Sequence, residues 1–127
     1  MFYSLKNIVT ACFILIFFAA CSPLQPIEGF DAEAWRNDRN ACAGIRDTMR
    51  ATIERVRPQL KGLTESALIK MLGKPDRSEL DERNRKHLIY FISKGSQCEA
   101  NKNMPLGTRI KFSSSAMNVV NEALIEN

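Results

Sequence analysis

The first 21 residues constrain this chain most, because they determine how much of it remains to fold. Lys6 precedes an apolar run that starts at Ile8 and ends in Phe18-Ala19-Ala20-Cys21. At about 13 residues, the run is shorter than the ~20 apolar residues that span a bilayer, and it fits the apolar region of a secretory signal. Small residues directly before a cysteine are typical of a lipobox. We therefore predict that residues 1–20 are a removed signal peptide and that Cys21 is acylated.

Phe18 stands where a lipobox usually has leucine, and it keeps that position large and apolar. Two alternatives stay open: an uncleaved N-terminal anchor, or a cut elsewhere that leaves Cys21 as a free thiol. All three place the body of the protein outside the cytoplasm. Several acyl chains on Cys21, at roughly 0.8 kcal/mol per buried methylene, would anchor the protein permanently. Ser22 is not the aspartate that retains many lipoproteins in the inner membrane, so we expect the outer membrane.

The chain after the signal, roughly 107 residues, is long enough for one domain with a modest core. Residues 21–30 contain Pro23, Pro26 and Gly29, which predicts a lipidated tether, and residues 31–127 are expected to form a single domain. The whole chain has 18 Lys and Arg residues against 14 Asp and Glu residues, a mildly basic balance. Nucleic-acid binders concentrate basic residues on one face among aromatics, and export also argues against that class of partner.

Two cysteines remain for the folded body once Cys12 leaves with the signal and Cys21 takes lipid. In an oxidising compartment this predicts a disulfide between Cys42 and Cys98. Such a bridge closes a loop of about 56 residues and contributes on the order of 4 kcal/mol by chain entropy. A reactive thiol pair is the alternative. No metal site is expected, because His87 is the only histidine and no CxxC pair is present.

The first half of the domain has helical patterns. Asp31 is a candidate N-cap for a short helix that holds Trp35. A longer helix is predicted from an apolar stripe with a spacing of three or four residues, and Pro58 should end or kink it. The stripe comprises Cys42, Ile45, Met49, Ile53, Val56 and Leu60, and the arginines expected on the solvated side are Arg46, Arg50, Arg55 and Arg57. Thr64 should cap a further helix over residues 65–72, which ends at Gly73.

The second half has strand patterns. Residues 77–86 are hydrophilic and are interpreted as a connection, and residues 88–92 form a β-branched and aromatic run that predicts a central strand. Residues 94–107 should be a long loop. Residues 108–113 alternate apolar and basic side chains, as a half-buried strand does. Residues 119–125 fit either a strand or a short helix, and we favour a strand. The fold class is therefore α+β.

The segment Lys61-Gly62-Leu63-Thr64-Glu65, followed by Leu68 and by Leu72-Gly73-Lys74-Pro75-Asp76, resembles the SmpA/OmlA/BamE-like lipoprotein group. The resemblance implies N-terminal helices packed on a small antiparallel sheet of about three strands. The group includes an accessory subunit of the machine that assembles outer-membrane β-barrels. This chain departs from that subunit before Gly62, where it has helices and Cys42 instead of an extended region.

A second resemblance involves residues on both sides of the predicted disulfide. Trp35-Arg36-Asn37-Asp38, Cys42-Ala43-Gly44-Ile45-Arg46, the Leu-Gly-x-Pro turn and Cys98 look like a set of small, uncharacterised lipoproteins of Bacteroidetes-type bacteria. This resemblance implies no activity.

The sequence offers little for catalysis, and we predict no catalytic residues, no cofactor and no small-molecule substrate. The serines at 113–115 are expected at a turn with no base nearby, and His87 is interpreted as a structural residue at the start of a strand. The remaining acidic candidates are expected on a solvated connection, where nothing pairs them as acid and base; they are Asp76, Glu79, Asp81 and Glu82.

The hypothesis for the function is a membrane-anchored, non-catalytic binding or scaffold module of the cell envelope. Its expected partners are the membrane, through the lipid, and outer-membrane β-barrel or assembly proteins. Trp35, Phe30 and Tyr90 are candidate contact residues, because aromatic side chains dominate interface energetics. For Trp35 the alternative is a place in the core. An envelope enzyme and a hydrolase inhibitor with a related helix-on-sheet arrangement are the alternative functions.

Overall fold

The computed structural model describes residues 24–127, so the predicted signal peptide at 1–20 and the lipidation of Cys21 lie outside the described residues. The helices are α1 (Ala32–Asn37), α2 (Ile45–Thr48), α3 (Arg50–Leu60) and α4 (Glu65–Leu72), with 3₁₀ turns at Arg39–Ala41 and Glu99–Asn101. The strands are β1 (Arg77–Leu80), β2 (Lys86–Phe91), β3 (Arg109–Ser114) and β4 (Val120–Glu126). None of the described helices is long and apolar enough to cross a membrane.

The strands form one antiparallel sheet in the order β1-β2-β3-β4, and the four α-helices of the described residues precede it in the chain. The predicted α+β class is therefore confirmed, but the sheet has four strands and not about three. The additional strand, β1, lies in the segment interpreted as a hydrophilic connection. Its residues are exposed on both faces, so no alternation of apolar and polar side chains marks it in the sequence.

The core lies between the helices and one face of the sheet. In β2, Leu88 and Tyr90 belong to this core, whereas Ile89 and Phe91 point to the opposite face and are also buried. The other buried members of the core are Trp35, Met49, Ile53, Val56, Leu60, Leu68, Leu72, Ile92, Ile110, Phe112, Val120 and Ala123. The strand favoured for residues 119–125 is confirmed as β4.

The long helix predicted from the apolar stripe is broken near its start. Gly44 has a φ of +81° and separates the 3₁₀ turn from α2, and Met49 then separates α2 from α3. Because of this break, Ile45 points outward and is 41% exposed, although the stripe predicted it to be buried. Pro58 does not end the helix, because it lies in the last turn of α3, which continues to Leu60.

Arg46 was predicted on the solvated side of that helix, and this prediction is wrong. Its side chain is buried, and its Nη1 forms an ion pair with Asp76 Oδ2 at 2.5 Å. Its Nε also donates to the carbonyl of Trp35 at 2.9 Å, and its guanidinium lies 4.7 Å from the centroid of the Trp35 ring. Gly44 breaks the helix just before this residue, so Arg46 does not continue the face that the longer stripe predicts.

Asp76 was expected on a solvated connection, and that prediction is also wrong, because its side chain has no exposed surface. Besides the ion pair with Arg46, its carboxylate accepts hydrogen bonds from the backbone N–H of Asn40 at 3.0 Å and of Phe91 at 2.9 Å. The 3₁₀ turn, α2, the start of β1 and the end of β2 therefore meet at one buried carboxylate.

Both predicted ends of α4 are confirmed. The Thr64 hydroxyl accepts from the N–H of Ala67 at 3.2 Å, and Gly73 follows the last turn with a φ of +81°. A Cβ at Gly73 would lie 2.7 Å from Cγ of Arg36, whose guanidinium donates to carbonyls in the last turn of α4. Tyr90 in β2 donates to the carbonyl of Gly73 at 2.8 Å, which fixes the helix end to the sheet.

The predicted disulfide between Cys42 and Cys98 is confirmed. It ties the segment before α2 to the long loop between β2 and β3, and Gln97 supports the same junction. The Gln97 amide donates to the carbonyl of Asn40 at 3.0 Å and to that of Ser93 at 2.7 Å. Covalent and hydrogen-bonded links therefore hold the helical half against the sheet.

Replacing Cys42 and Cys98 together by serine should lower the free energy of unfolding by about 4 kcal/mol, because the unfolded chain regains the entropy of a 56-residue loop. Urea unfolding of the oxidised protein, the reduced protein and the double variant measures this loss. The reduced protein should match the double variant. A midpoint that neither reduction nor substitution changes would contradict a structural role for the bridge.

Candidate functional site

The three aromatic residues predicted as contacts do not form a surface. Trp35 and Tyr90 are 0% exposed, so neither ring can meet a partner, and Trp35 takes the alternative place in the core. Phe30 is half-buried, with its ring centroid 5.3 Å from that of Trp35. The need to bury the largest apolar side chains in a domain of this size explains why these residues pack inward.

The serines and His87 are also placed differently from the prediction. Ser113 and Ser114 lie in β3, not at a turn, and a base is nearby: Nδ1 of His87 is 2.9 Å from Oγ of Ser113. Nε2 of the same ring is 3.4 Å from Oδ2 of Asp81, and Ser113 Oγ is 3.5 Å from Oε2 of Glu122. A chain of polar side chains thus crosses the sheet from the β1–β2 turn to β4.

This polar chain resembles a nucleophile–base–acid array, but its geometry suits strand alignment. Ser113 is 1% exposed, so its hydroxyl offers a substrate no access. It pairs with His87 on β2 and with Glu122 on β4, in the interior of the sheet. Asp81 stays ionised, because hydrogen bonds from Arg85 and Arg83 hold its pKa well below its ordinary value.

An open cavity of about 490 Å³ lies where α4 begins, beside the start of β2 and the turn between β3 and β4. Its lining residues are Thr64, Glu65, Ser66, Ile69, Lys86, Met117 and Asn118. Glu65 and Ser66 belong to the first turn of the helix that the resembling motif starts. We take this cavity as the candidate functional site.

A fixed ion pair forms one wall of the cavity. Lys86 Nζ lies 2.6 Å from Oε2 of Glu65, and the hydroxyl of Ser114 donates to Oε1 of the same carboxylate at 2.5 Å. Glu65 and Ser114 are buried, whereas the Lys86 side chain is 44% exposed. The lysine therefore presents an ammonium group to the cavity in a position set by a buried acid.

The environment of Glu65 lowers its pKa below the ordinary value. Burial by itself would raise this pKa, but the hydrogen bonds from Lys86 and Ser114 and the positive charge of Lys86 outweigh burial. Glu65 therefore stays a carboxylate, and the ion pair persists into mildly acidic solution.

Two of the residues that line the cavity are apolar and exposed. Ile69 in α4 is 36% exposed, and Met117 is 81% exposed. Leu80, which pairs with Lys86 across β1 and β2, is 71% exposed on the same face of the sheet. Exposed apolar side chains grouped around a polar centre are typical of an interaction site.

Sequence reasoning missed this site. Thr64 and Glu65 were recognised only as a helix start, and Lys86 only as the end of a polar segment. Met117 lies in a short turn, where Asn118 adopts a φ of +57°, and no periodicity marks its position. The clearest signal available was the helix cap, because the first turn of a capped helix fixes the direction of its side chains.

Within residues 24–127, no three His, Cys, Asp or Glu side chains are grouped as a metal site would require. Comparisons with protein-family models, with curated proteins and with solved structures find no match to this chain. The assignment of the candidate site therefore rests on the geometry of its residues.

Replacing Glu65 by glutamine should destabilise the protein more at pH 6 than at pH 3. The stability that an ionised Glu65 contributes is complete above the pKa in the unfolded chain, about 4.3, and is lost as the pH falls through the lower pKa of the folded protein. Urea unfolding of both proteins across this range measures the difference. Ser114→Ala should reduce the pH dependence, and a difference that is constant from pH 3 to 6 would contradict the assigned ion pair.

Proposed function

We propose that this protein is a lipoprotein anchored in the outer membrane through Cys21 and that its domain is a non-catalytic binding module for a protein of that membrane. The observation that carries the proposal is the open cavity at the start of α4, with Ile69 and Met117 exposed at its rim. The partner fills this cavity with an apolar side chain and sets polar groups against Lys86.

The cavity is suited to binding because its walls stand on elements that cannot shift independently. Thr64 caps α4 at one end, and Tyr90 holds the other end to β2 through the Gly73 carbonyl. Lys86 projects from the same strand and is fixed by Glu65. A partner then loses little free energy in ordering the site on binding.

Two features support a place outside the cytoplasm and close to a membrane. The Cys42–Cys98 disulfide is typical of an oxidising compartment. Ile27 and Phe30 pack against the core, so the chain that links Cys21 to the packed body ends at Ile27 and spans at most roughly 20 Å. A lipid on Cys21 would therefore hold the cavity near the bilayer surface.

The resemblance to the SmpA/OmlA/BamE-like group supports a role in outer-membrane assembly or maintenance. The motif from Gly62 to Asp76 forms α4 with its cap and its glycine stop, and the start of this helix lines the cavity. We therefore propose a β-barrel protein, or a protein that assembles β-barrels, as the partner.

A photoreactive amino acid in place of Met117 tests the proposal in living cells that make the full chain. Ultraviolet crosslinking, affinity capture and mass spectrometry should identify one outer-membrane β-barrel or assembly protein. Ile69→Ser should reduce this crosslink by roughly tenfold, because it removes apolar contact area from the rim. Cys21→Ala should abolish it, because the domain would leave the membrane.

The matched control is the same photoreactive residue at Glu99, an exposed position in the long loop that does not line the cavity. It should not give the Met117 product. Equal products from both positions, or no outer-membrane protein from Met117, would contradict the proposed binding surface. Unchanged crosslinking in the Cys21→Ala variant would contradict the proposed lipid anchor but not the binding surface.

A further inference from the structure

The two edges of the described sheet differ in their backbone hydrogen bonding. The first part of β4 is paired on its outer side: the N–H of Gly62 donates to the carbonyl of Val120 at 2.7 Å, and the N–H of Val120 donates to that of Leu63 at 2.8 Å. The outer side of β1 has no strand beside it among residues 24–127. β1 is therefore unpaired along its whole outer side, whereas β4 is paired at its start, and we call β1 the open edge of the described sheet.

The hydrogen-bond pattern determines which backbone groups of β1 point outward. The N–H of Asp81 donates to the carbonyl of Arg85 in β2 at 3.0 Å. Backbone groups of an antiparallel strand face alternate neighbours, so Arg77 and Glu79 also face β2. Ser78 and Leu80 consequently present their N–H and C=O groups to the outside.

The charged side chains of β1 are complementary to those of a second, antiparallel β1 strand. Arg77 and Glu79 lie two residues apart, on the face of the sheet away from the helices, and carry opposite charges. The Arg77 guanidinium is held in place by the Phe91 ring, whose centroid is 5.3 Å away. A second β1 strand, placed antiparallel with a two-fold axis at Ser78, would set each Arg77 opposite Glu79 of the other copy.

We infer that the open edge of β1 binds β1 of a second copy of this chain, so that two sheets join into one of eight strands. A two-fold axis at Ser78 sets the outward-facing backbone groups of one β1 strand against those of the other. It also makes two ion pairs between Arg77 and Glu79. An axis at Glu79 would instead set Glu79 opposite Glu79, which is unfavourable. It would also set Arg77 opposite Asp81, whose carboxylate is already bound by Arg85 at 2.7 Å. The charges therefore select one register, and the interface is isologous, as in most homodimers.

The charges of β1 also distinguish it from edge strands that are protected against pairing with another chain. Edge strands avoid pairing when they carry charges of one sign, which repel a second copy. β1 carries one charge of each sign in an order that favours antiparallel self-pairing. Four residues bury less area than a standard stable interface, so the association is expected to be weak and best detected by crosslinking. This inference does not depend on the cavity or its partner.

A photoreactive residue at Ser78 tests the inference in membranes from cells that make the full chain. Crosslinking should give a product with the mass of two chains. Arg77→Glu alone and Glu79→Arg alone should each reduce its yield about fivefold or more, since each converts two attractive pairs into two repulsive ones. The double variant Arg77→Glu/Glu79→Arg restores both pairs and should restore the yield.

The control position is Gln59, which is exposed on α3, the helix that packs against β4 at the opposite edge. It should give no two-chain product. Coexpression of the Arg77→Glu chain with the Glu79→Arg chain should again yield the mixed dimer. No two-chain product from Ser78, or a yield that the single charge reversals leave unchanged, would overturn the inference.

Discussion

The buried ion pair between Arg46 and Asp76 is the interaction on which the rest of this structure depends. Two charges removed from water are tolerated only when their hydrogen-bonding capacity is filled. Here Asp76 accepts from Arg46 and from the backbone of Asn40 and Phe91, while Arg46 also donates to the carbonyls of Trp35 and Phe91. Every segment that meets at this pair is thereby fixed, including the 3₁₀ turn that the disulfide ties to the long loop.

The buried ion pair also connects the core to the candidate site. Asp76 lies between α4 and β1, so the pair fixes the connection between the helix and the edge strand. Tyr90 holds the end of α4 to the sheet, and the start of that helix carries Glu65 against Lys86. Lys86 pairs with Leu80 of β1, so the cavity and the open edge are neighbours on one rigid frame.

The parts of the fold that the sequence predicts are those set by local chemistry. The caps of α4 depend on Thr64 and Gly73 themselves, and the disulfide follows from a count of cysteines. Arg46 could not be distinguished from the exposed arginines near it, because its partner lies 30 residues away and Gly44 breaks the helix before it. β1 and the apolar rim at Met117 have no periodicity, since exposure there depends on what tertiary packing leaves uncovered.

The most direct test of the central ion pair is a double-mutant cycle on unfolding free energy with Arg46→Met, Asp76→Asn and both together. Each single variant should lose about 3–5 kcal/mol, because it removes one partner of the buried pair, and Arg39, a half-exposed side chain whose Nε lies 3.7 Å from Asp76 Oδ1, does not replace Arg46. The double variant should lose much less than the sum. The matched control is the exposed pair Asp47–Arg50, whose loss should cost under about 1 kcal/mol. Single variants as stable as this control, or losses that simply add, would contradict the account.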